Sequence, residues 1–331
     1  MQLVNVEVYK ICNEAYSQEI INFIEKEAVN SLIFHLPNFF YYHPASKFPR
    51  DKYVKTDYIF TYKNKIFAMI VGVRYENTYE SLLGASYGGI IHSAEINYAL
   101  IDNLLEKWLL ALKEENVHKI YITVVPEVMY KNDKGYAVNY IHHVLQAKKF
   151  QIQKMDMILC HKINKQVSIE SRIDSKTHTE LKQAFKNNLR CEIMEGVCPD
   201  TYKLLSESQQ NFGKNPTHTY EELLTLHRLF AGKINSFKIY SNDELLSGII
   251  TFTYNKKVLN TFYIFDKPEG RKKKANHLAY YNVIEYAKNN DFDFVDFGPS
   301  TNGYEANLNL IKFKENWDSV PDLRVKYVLK L

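Results

Sequence analysis

One succession of elements is written twice along this chain, and that duplication limits what the chain can fold into. In the first half, residues 58–62 read as a short strand, followed by a turn at Lys63-Asn64-Lys65. Residues 66–73 form a second strand, and Glu76-Asn77-Thr78 turns into a third over residues 79–83. A glycine-rich loop, Gly84-Ala85-Ser86-Tyr87-Gly88-Gly89, then leads to a long amphipathic helix. Its apolar positions Leu100, Ile101, Leu104, Leu105, Trp108, Leu109 and Leu112 recur at helical spacing. Residues 119–125 read as a buried strand ending at Pro126.

The second half repeats the order. Strands over residues 237–240, 245–254 and 258–265 are joined by turns at 241–243 and 255–257. A basic loop, residues 266–274, enters a helix over 275–289 that carries Ala279, Tyr280, Val283, Ile284 and Ala287 on one side. A strand over 292–297 ends at Gly298-Pro299. Each copy is therefore an antiparallel three-strand meander, a crossover helix and a further strand parallel to the third. Helical patterns precede each meander (19–28; 202–211 and 220–230), and a closing segment follows each copy (151–163; 323–331).

A chain of 331 residues is long for one core, so two domains are expected, 1–165 and 166–331, with the polar stretch 164–175 between them. The fold class is α/β (α+β), each domain a mixed, mostly antiparallel sheet flanked by helices. A 46% hydrophobic and 24% charged composition suits a soluble globular protein. The net charge of +4 permits an anionic ligand but is weaker than a dedicated nucleic-acid binder carries. Cys12, Cys160, Cys191 and Cys198 form no Cys-x-x-Cys pair, which argues against zinc and disulfides and fits a reducing compartment. His142, His143 and His277 lack partners at ligand spacing, so no metal is expected. No apolar run reaches the ~20 residues of a membrane span, and the first residues show no signal-peptide pattern. A cytoplasmic protein is expected.

The tail carries the most specific motif: Asp296-Phe297-Gly298-Pro299-Ser300-Thr301, then Phe313-Lys314-x-x-Trp317, then the closing strand. Together with the duplicated order, this resembles the FemAB-like branch of the GNAT acyltransferase superfamily, whose members have two tandem GNAT-like domains. Ser86-Tyr87-Gly88-Gly89 is similar to the glycine loop of the first domain in that branch. The resemblance implies transfer of an acyl or aminoacyl group, from acyl-CoA or aminoacyl-tRNA, to an amine of an amino sugar, a peptide or a cell-envelope precursor. Two departures stand out. Gln209-Gln210-Asn211-Phe212 replaces the arginines often found before the glycine here numbered 213, and Asp318 stands where the family often has glycine.

Site residues follow from position. Arg271-Lys272-Lys273-Lys274 precedes a helix opening at Ala275-Asn276, and a helix N-terminus offers free N–H groups and a positive dipole end to phosphate. In acyl-CoA-using relatives this stretch reads Gln/Arg-x-x-Gly-x-Gly/Ala; Lys274 and Asn276 occupy the glycine positions, which would obstruct close approach of a ligand. The lysines are either a phosphate grip or a solvated surface run. Asp296 lies at the carboxyl end of a strand, where ligands of α/β sheets collect. It serves either as a base in acyl transfer or as the cap of its own turn. Tyr304 or Tyr263 would be the acid, and Ser300, Thr301, Asn302 and Lys314 would border the substrate. Ser86 and Tyr87 mark either an anion cradle or a tight turn. A rival reading is a duplicated, non-catalytic module that holds an anionic glycan or a protein partner.

Overall fold

The structure, a computed structural model, describes residues 5–12, 15–211 and 213–331. The reading of residues 1–4 as lacking a leader, and Phe212 among the four residues that replace arginines, lie outside that set. The chain divides into two units. The first comprises Met1–Asp156, Asn302–Tyr304 and Asp322–Leu331, the second Met157–Thr301 and Glu305–Pro321.

The first unit contains β1 (Glu7–Cys12), α1 (Gln18–Asn22), β2 (Tyr53–Tyr62), β3 (Lys65–Ile70), β4 (Val73–Tyr75), β5 (Thr78–Ser81), β6 (Ile90–His92), α2 (Tyr98–Glu114), β7 (Lys119–Thr123), α3 (Ala137–Ala147) and the start of β8 (Gln151–Lys162). Its strands run in the order β6-β3-β2-β4-β5-β7, with β1 along β2. The crossover from β5 to β7 is parallel, as the repeat requires, with Thr78 opposite Lys119 and Ser81 opposite Ile122. Helix α2 starts where the Asn97 side chain accepts the Leu100 N–H at 3.0 Å. It buries Leu100, Ile101, Leu104, Leu105, Trp108 and Leu112, each buried leucine contributing roughly 1.5–3 kcal/mol. One element departs from expectation: the glycine-rich loop leads into β6, paired with β3, before the helix begins. The two consecutive buried isoleucines, Ile90 and Ile91, suit a strand with both faces covered.

The second unit contains the rest of β8, then α4 (Ser175–Lys186), β9 (Leu189–Glu195), α5 (Pro199–Gln210), α6 (Tyr220–Leu229), β10 (Ile234–Ser241), β11 (Glu244–Thr253), β12 (Val258–Asp266), α7 (Pro268–Lys272), α8 (Ala275–Asn289), β13 (Phe294–Pro299) and α9 (Leu308–Glu315). The sheet order is β8-β13-β12-β11-β10-β9. Helix α8 buries Ala275, Leu278, Ala279, Tyr280, Val283, Ile284 and Ala287. This broad face belongs to a core shared with Leu181 and Ala184 of α4, Ile249 of β11 and Trp317. Among the described residues, β12 and β13 pair in parallel only from Val258–Phe294 to Asn260–Asp296. Strand β12 continues six residues further to Asp266, while β13 turns at Gly298, whose φ is +72°. The two strands therefore part, and the free end of β12 forms one wall of a cleft.

The closing strands are exchanged relative to the order read in the sequence. Lys326–Lys330, at the end of the chain, pair antiparallel with β7 in the first unit. Ile158, Cys160, His161 and Lys162 of β8 pair antiparallel with β13 in the second. Periodicity identifies a strand and its buried face, but pairing is a long-range property that alternation alone does not encode.

Candidate functional site

The cleft lies wholly within the second unit and has a volume of about 430 Å3. Ile264, Phe265 and Asp266 from the end of β12 face Ser208 and Gln209 of α5, and Lys214 from the turn that follows. Arg271 and Asn276 come from the α7–α8 junction, and Tyr280, Leu310 and Phe313 complete the apolar side. An apolar hollow with a few convergent polar groups is the usual form of a small-molecule site.

Asp266 organises the polar side. Its Oδ1 accepts from Arg271 Nε at 2.7 Å and lies 2.7 Å from the guanidinium Nη2. Its Oδ2 accepts from Asn276 Nδ2 at 2.6 Å, and its backbone N–H donates to Ser208 Oγ at 3.3 Å. The hydrogen bond and charge of Asp266 raise the Arg271 pKa above its ordinary value, so Arg271 is a fixed cation. Asn276 also accepts from Ser247 Oγ. Lys214 has no ion pair among the described residues, which leaves its charge available to a ligand.

The basic run does not act as one patch. Residues 268–272 coil into the short helix α7, and only Arg271 of the four cations lines the cleft. Lys272 lies 4.0 Å from Glu269. Lys273 lies 3.8 Å from Glu269 and donates to Ser241 Oγ at 3.0 Å, and Lys274 donates to Glu180 Oε1 at 2.9 Å. Of the four cations expected at the phosphate, Arg271 lines the cleft, Lys273 and Lys274 are held by partners outside it, and Lys272 is exposed. Ala275 is buried, so its contribution to a ligand is limited to its backbone N–H in the first turn of α8.

Asp296 is not among the cleft residues. It is 1% exposed, and its Oδ1 accepts the Gly298 N–H at 2.7 Å. Its Oδ2 accepts Asn260 Nδ2 at 2.8 Å, while the Cys160 thiol lies 3.8 Å from Oδ1. These bonds tie the carboxylate to Gly298 of its own bend and to Asn260 of β12, contacts of the kind that the turn-capping alternative calls for. Tyr263 is buried, accepts the His218 N–H at 3.0 Å and contacts His218 Nδ1 at 2.7 Å. Burial pushes its hydroxyl up to about 12, so it carries its proton near neutrality. Tyr304 is 80% exposed and belongs to the first unit, as does Asn302. The Ser300 hydroxyl is buried without a hydrogen-bond partner among the described residues, whereas Thr301 Oγ1 accepts the Met157 N–H at 2.8 Å. Lys314, on α9, is 2% exposed, and its ammonium donates to the carbonyls of Gly298 at 2.8 Å and Pro299 at 3.1 Å. Its neighbour Phe313 is the residue that reaches the cleft.

In the first unit, the N–H groups of the glycine loop are bonded to the neighbouring strands β5 and β7. The Gly88 N–H donates to Thr123 O at 3.0 Å and the Gly89 N–H to Ser81 Oγ at 2.9 Å. Tyr87 is buried and packs against Phe34, while Ser86 is half-buried. Both glycine N–H groups are thus occupied within the protein, an arrangement consistent with the tight-turn reading of Ser86 and Tyr87. Sequence reasoning missed Ser208, Gln209, Lys214 and the pocket role of Asp266. Lys214 had a signal, since it directly follows Gly213 in the segment already noted for its missing arginines.

Two features define the class: a meander-helix-strand unit formed twice, and a cleft where parallel strands separate in the second copy. Residues 200–306 match the family model of an acetyltransferase (GNAT) domain. Among solved structures, FemX is similar over 98% of this chain and 97% of its own, with a TM-score of 0.67 at 13% identity. A tandem GNAT protein from the clavulanic acid biosynthesis pathway is similar over 98% of each chain, with a TM-score of 0.54 at 11% identity. The chain has a tandem GNAT fold like that of FemX, and residues 200–306 within it match a GNAT acetyltransferase domain. No curated protein matches the sequence. Among the described residues, no helix is long and apolar enough to cross a membrane.

Proposed function

We propose that this protein transfers an acyl or aminoacyl group to an amine, and that the second-unit cleft binds the donor. The observation that carries this reading is the placement of Arg271, Lys214 and Asn276 around an apolar hollow at the start of α8. A donor with a phosphate-bearing carrier fits that chemistry. The phosphate meets Arg271, Lys214 and the N–H groups of the first helical turn, while the chain leading to the acyl group lies along Ile264, Phe265 and Phe313. Acyl-CoA and the aminoacyl end of a tRNA both meet this description. In the transfer, the amine nitrogen bonds to the carbonyl carbon and the carbon–sulfur or carbon–oxygen bond of the donor breaks. The proton lost by the amine ends on the departing sulfur or oxygen. The acceptor is an amine of an amino sugar, a peptide or a cell-envelope precursor, and the uncharged Gln209-Gln210-Asn211 in place of the expected arginines favours one with little negative charge.

Calorimetric titration with acetyl-CoA, CoA and a non-hydrolysable aminoacyl-RNA minihelix tests the donor site. Binding of one of them, weakened about tenfold in Arg271→Ala and in Lys214→Ala, is the expected result. Binding that neither substitution changes would place the donor elsewhere. Absence of binding by all three would support the non-catalytic module.

A further inference from the structure

Lys274 sits in the left-handed region, at φ +62° and ψ +30°, immediately before α8. An L-residue with a side chain is disfavoured there, whereas glycine adopts the conformation freely. The turn is nevertheless held, and the groups that hold it come from α4. Glu180 Oε1 accepts from Lys274 Nζ at 2.9 Å. Glu180 Oε2 lies 2.9 Å from Nε2 of His277, in the first turn of α8, without the alignment of a hydrogen bond. Asn187, which caps the end of α4, donates from Nδ2 to the Lys273 carbonyl at 3.1 Å. One carboxylate thus reaches the residue before the helix and a residue inside it, and a second side chain fixes the preceding carbonyl.

We propose that Glu180 and Asn187 are positioning residues: they buckle the Lys273–Lys274 turn and thereby aim the first turn of α8, including Asn276, at the cleft. The proposal rests on reading that cleft as the donor site. Helix α4 lies outside residues 200–306, so the buckle is supplied by chain that precedes the matched domain. Burial raises the Glu180 carboxyl, but the Lys274 hydrogen bond and the nearby positive groups outweigh it and hold the group below its ordinary range. The carboxylate therefore stays charged at neutral pH. The His277 ring is fixed against Phe313 and Trp317, so Glu180 works against a rigid support. The side-chain tether compensates for a residue that dislikes the required backbone angle, and glycine at 274 would make it unnecessary.

That last consequence provides the test. Hydrogen exchange of the 275–278 amides and CoA binding are measured for the wild type, Glu180→Ala, Asn187→Ala and the double variant Glu180→Ala/Lys274→Gly. Each single alanine variant speeds exchange of those amides, and Glu180→Ala weakens CoA binding about tenfold. The double variant recovers both to within about threefold of wild type, because glycine holds the turn without a tether. A role of Glu180 in packing alone would not be rescued by deleting another side chain. Unchanged exchange in both alanine variants, or a double variant as impaired as Glu180→Ala, overturns the proposal. If the wild type fails to bind CoA, the donor reading fails for that molecule, and the exchange measurements still decide whether the buckle exists.

Discussion

Nζ of Lys314 lies 2.8 Å from the carbonyl oxygen of Gly298, so an ammonium group is buried under the bend that ends β13. The same nitrogen holds the Pro299 carbonyl, and Asp296 grips the bend from its other side through the Gly298 N–H. Two oppositely charged side chains, 18 positions apart in sequence, fix one turn whose departure from β12 opens the cleft.

Burial lowers the Lys314 pKa from 10.5 to about 8, against the opposing attraction of Asp296 and Cys160. Between those values the unfolded chain holds a proton that the native state has released, so stability rises with pH across the window. Relative to Lys314→Met, which lacks the titration, the wild type should gain on the order of 3 kcal/mol from pH 8 to 10.5. Urea denaturation of both proteins across that range measures it. A constant difference would mean that water reaches the ammonium.

Asp296 makes a sharper distinction, because its two readings predict different losses. As the cap of its turn, it accepts hydrogen bonds that alanine cannot replace. Asp296→Ala should then destabilise the protein by roughly 2–3 kcal/mol, the range for buried hydrogen bonds to a charged group. Transfer activity per folded molecule should fall only as far as the bend has shifted. A variant with full stability and no activity would restore the base to Asp296.

Much of the second unit was legible from sequence. Its strands alternate or run apolar between clear turns, and α8 was placed over the residues it occupies. The Pro268–Lys272 helix was read as a loop because its five residues, Pro-Glu-Gly-Arg-Lys, are too few and too polar to show an amphipathic pattern. Arg271, Lys272 and Lys273 have acidic neighbours close by in sequence, but Glu180 lies 94 residues before the lysine it binds, out of reach of a local reading. The exchanged closing strands were hidden for the same reason. Strand β1 escaped notice because its alternating polar and apolar residues are brief, although they fit the edge strand it forms along β2.

In the first unit, His35 offers an acid-side counterpart to Lys314. Its Nδ1 accepts the Leu32 N–H at 3.0 Å, so the proton is on Nε2, which donates to Gly88 O at 3.1 Å. Burial lowers its pKa from 6.5 to about 4. Between those values the unfolded chain binds a proton that the native state refuses, so stability falls as pH drops from 6.5 towards 4. The cost at pH 5 relative to pH 7.5 is about 2 kcal/mol, and it should be absent in His35→Gln. Parallel denaturation curves at the two pH values check this. An equal acid loss in the variant would assign the effect to other groups, among them the similarly buried His92.

Gly248 connects packing to the cleft. It lies on β11 between Lys238 and Phe265 in register, and its backbone is negative in φ, so conformational freedom is not what the position requires. Space is: a Cβ at this position would stand 2.4 Å from the Phe237 carbonyl oxygen and 2.7 Å from the ring of Phe265. Both must give: the ladder has to shift away from the carbonyl clash, and the Phe265 ring, a wall of the cleft, has to move as well. Gly248→Ala should therefore cost about 1–3 kcal/mol as overpacking and weaken donor binding as well. Gly232→Ala is the control, because nothing lies within 4 Å and only its left-handed φ of +73° is strained. That variant should lose stability by about 1 kcal/mol with binding intact. Comparing urea midpoints and acetyl-CoA titrations for the pair separates strain from displacement of the wall, and equal binding by both variants would show that Phe265 has room to move without closing the cleft.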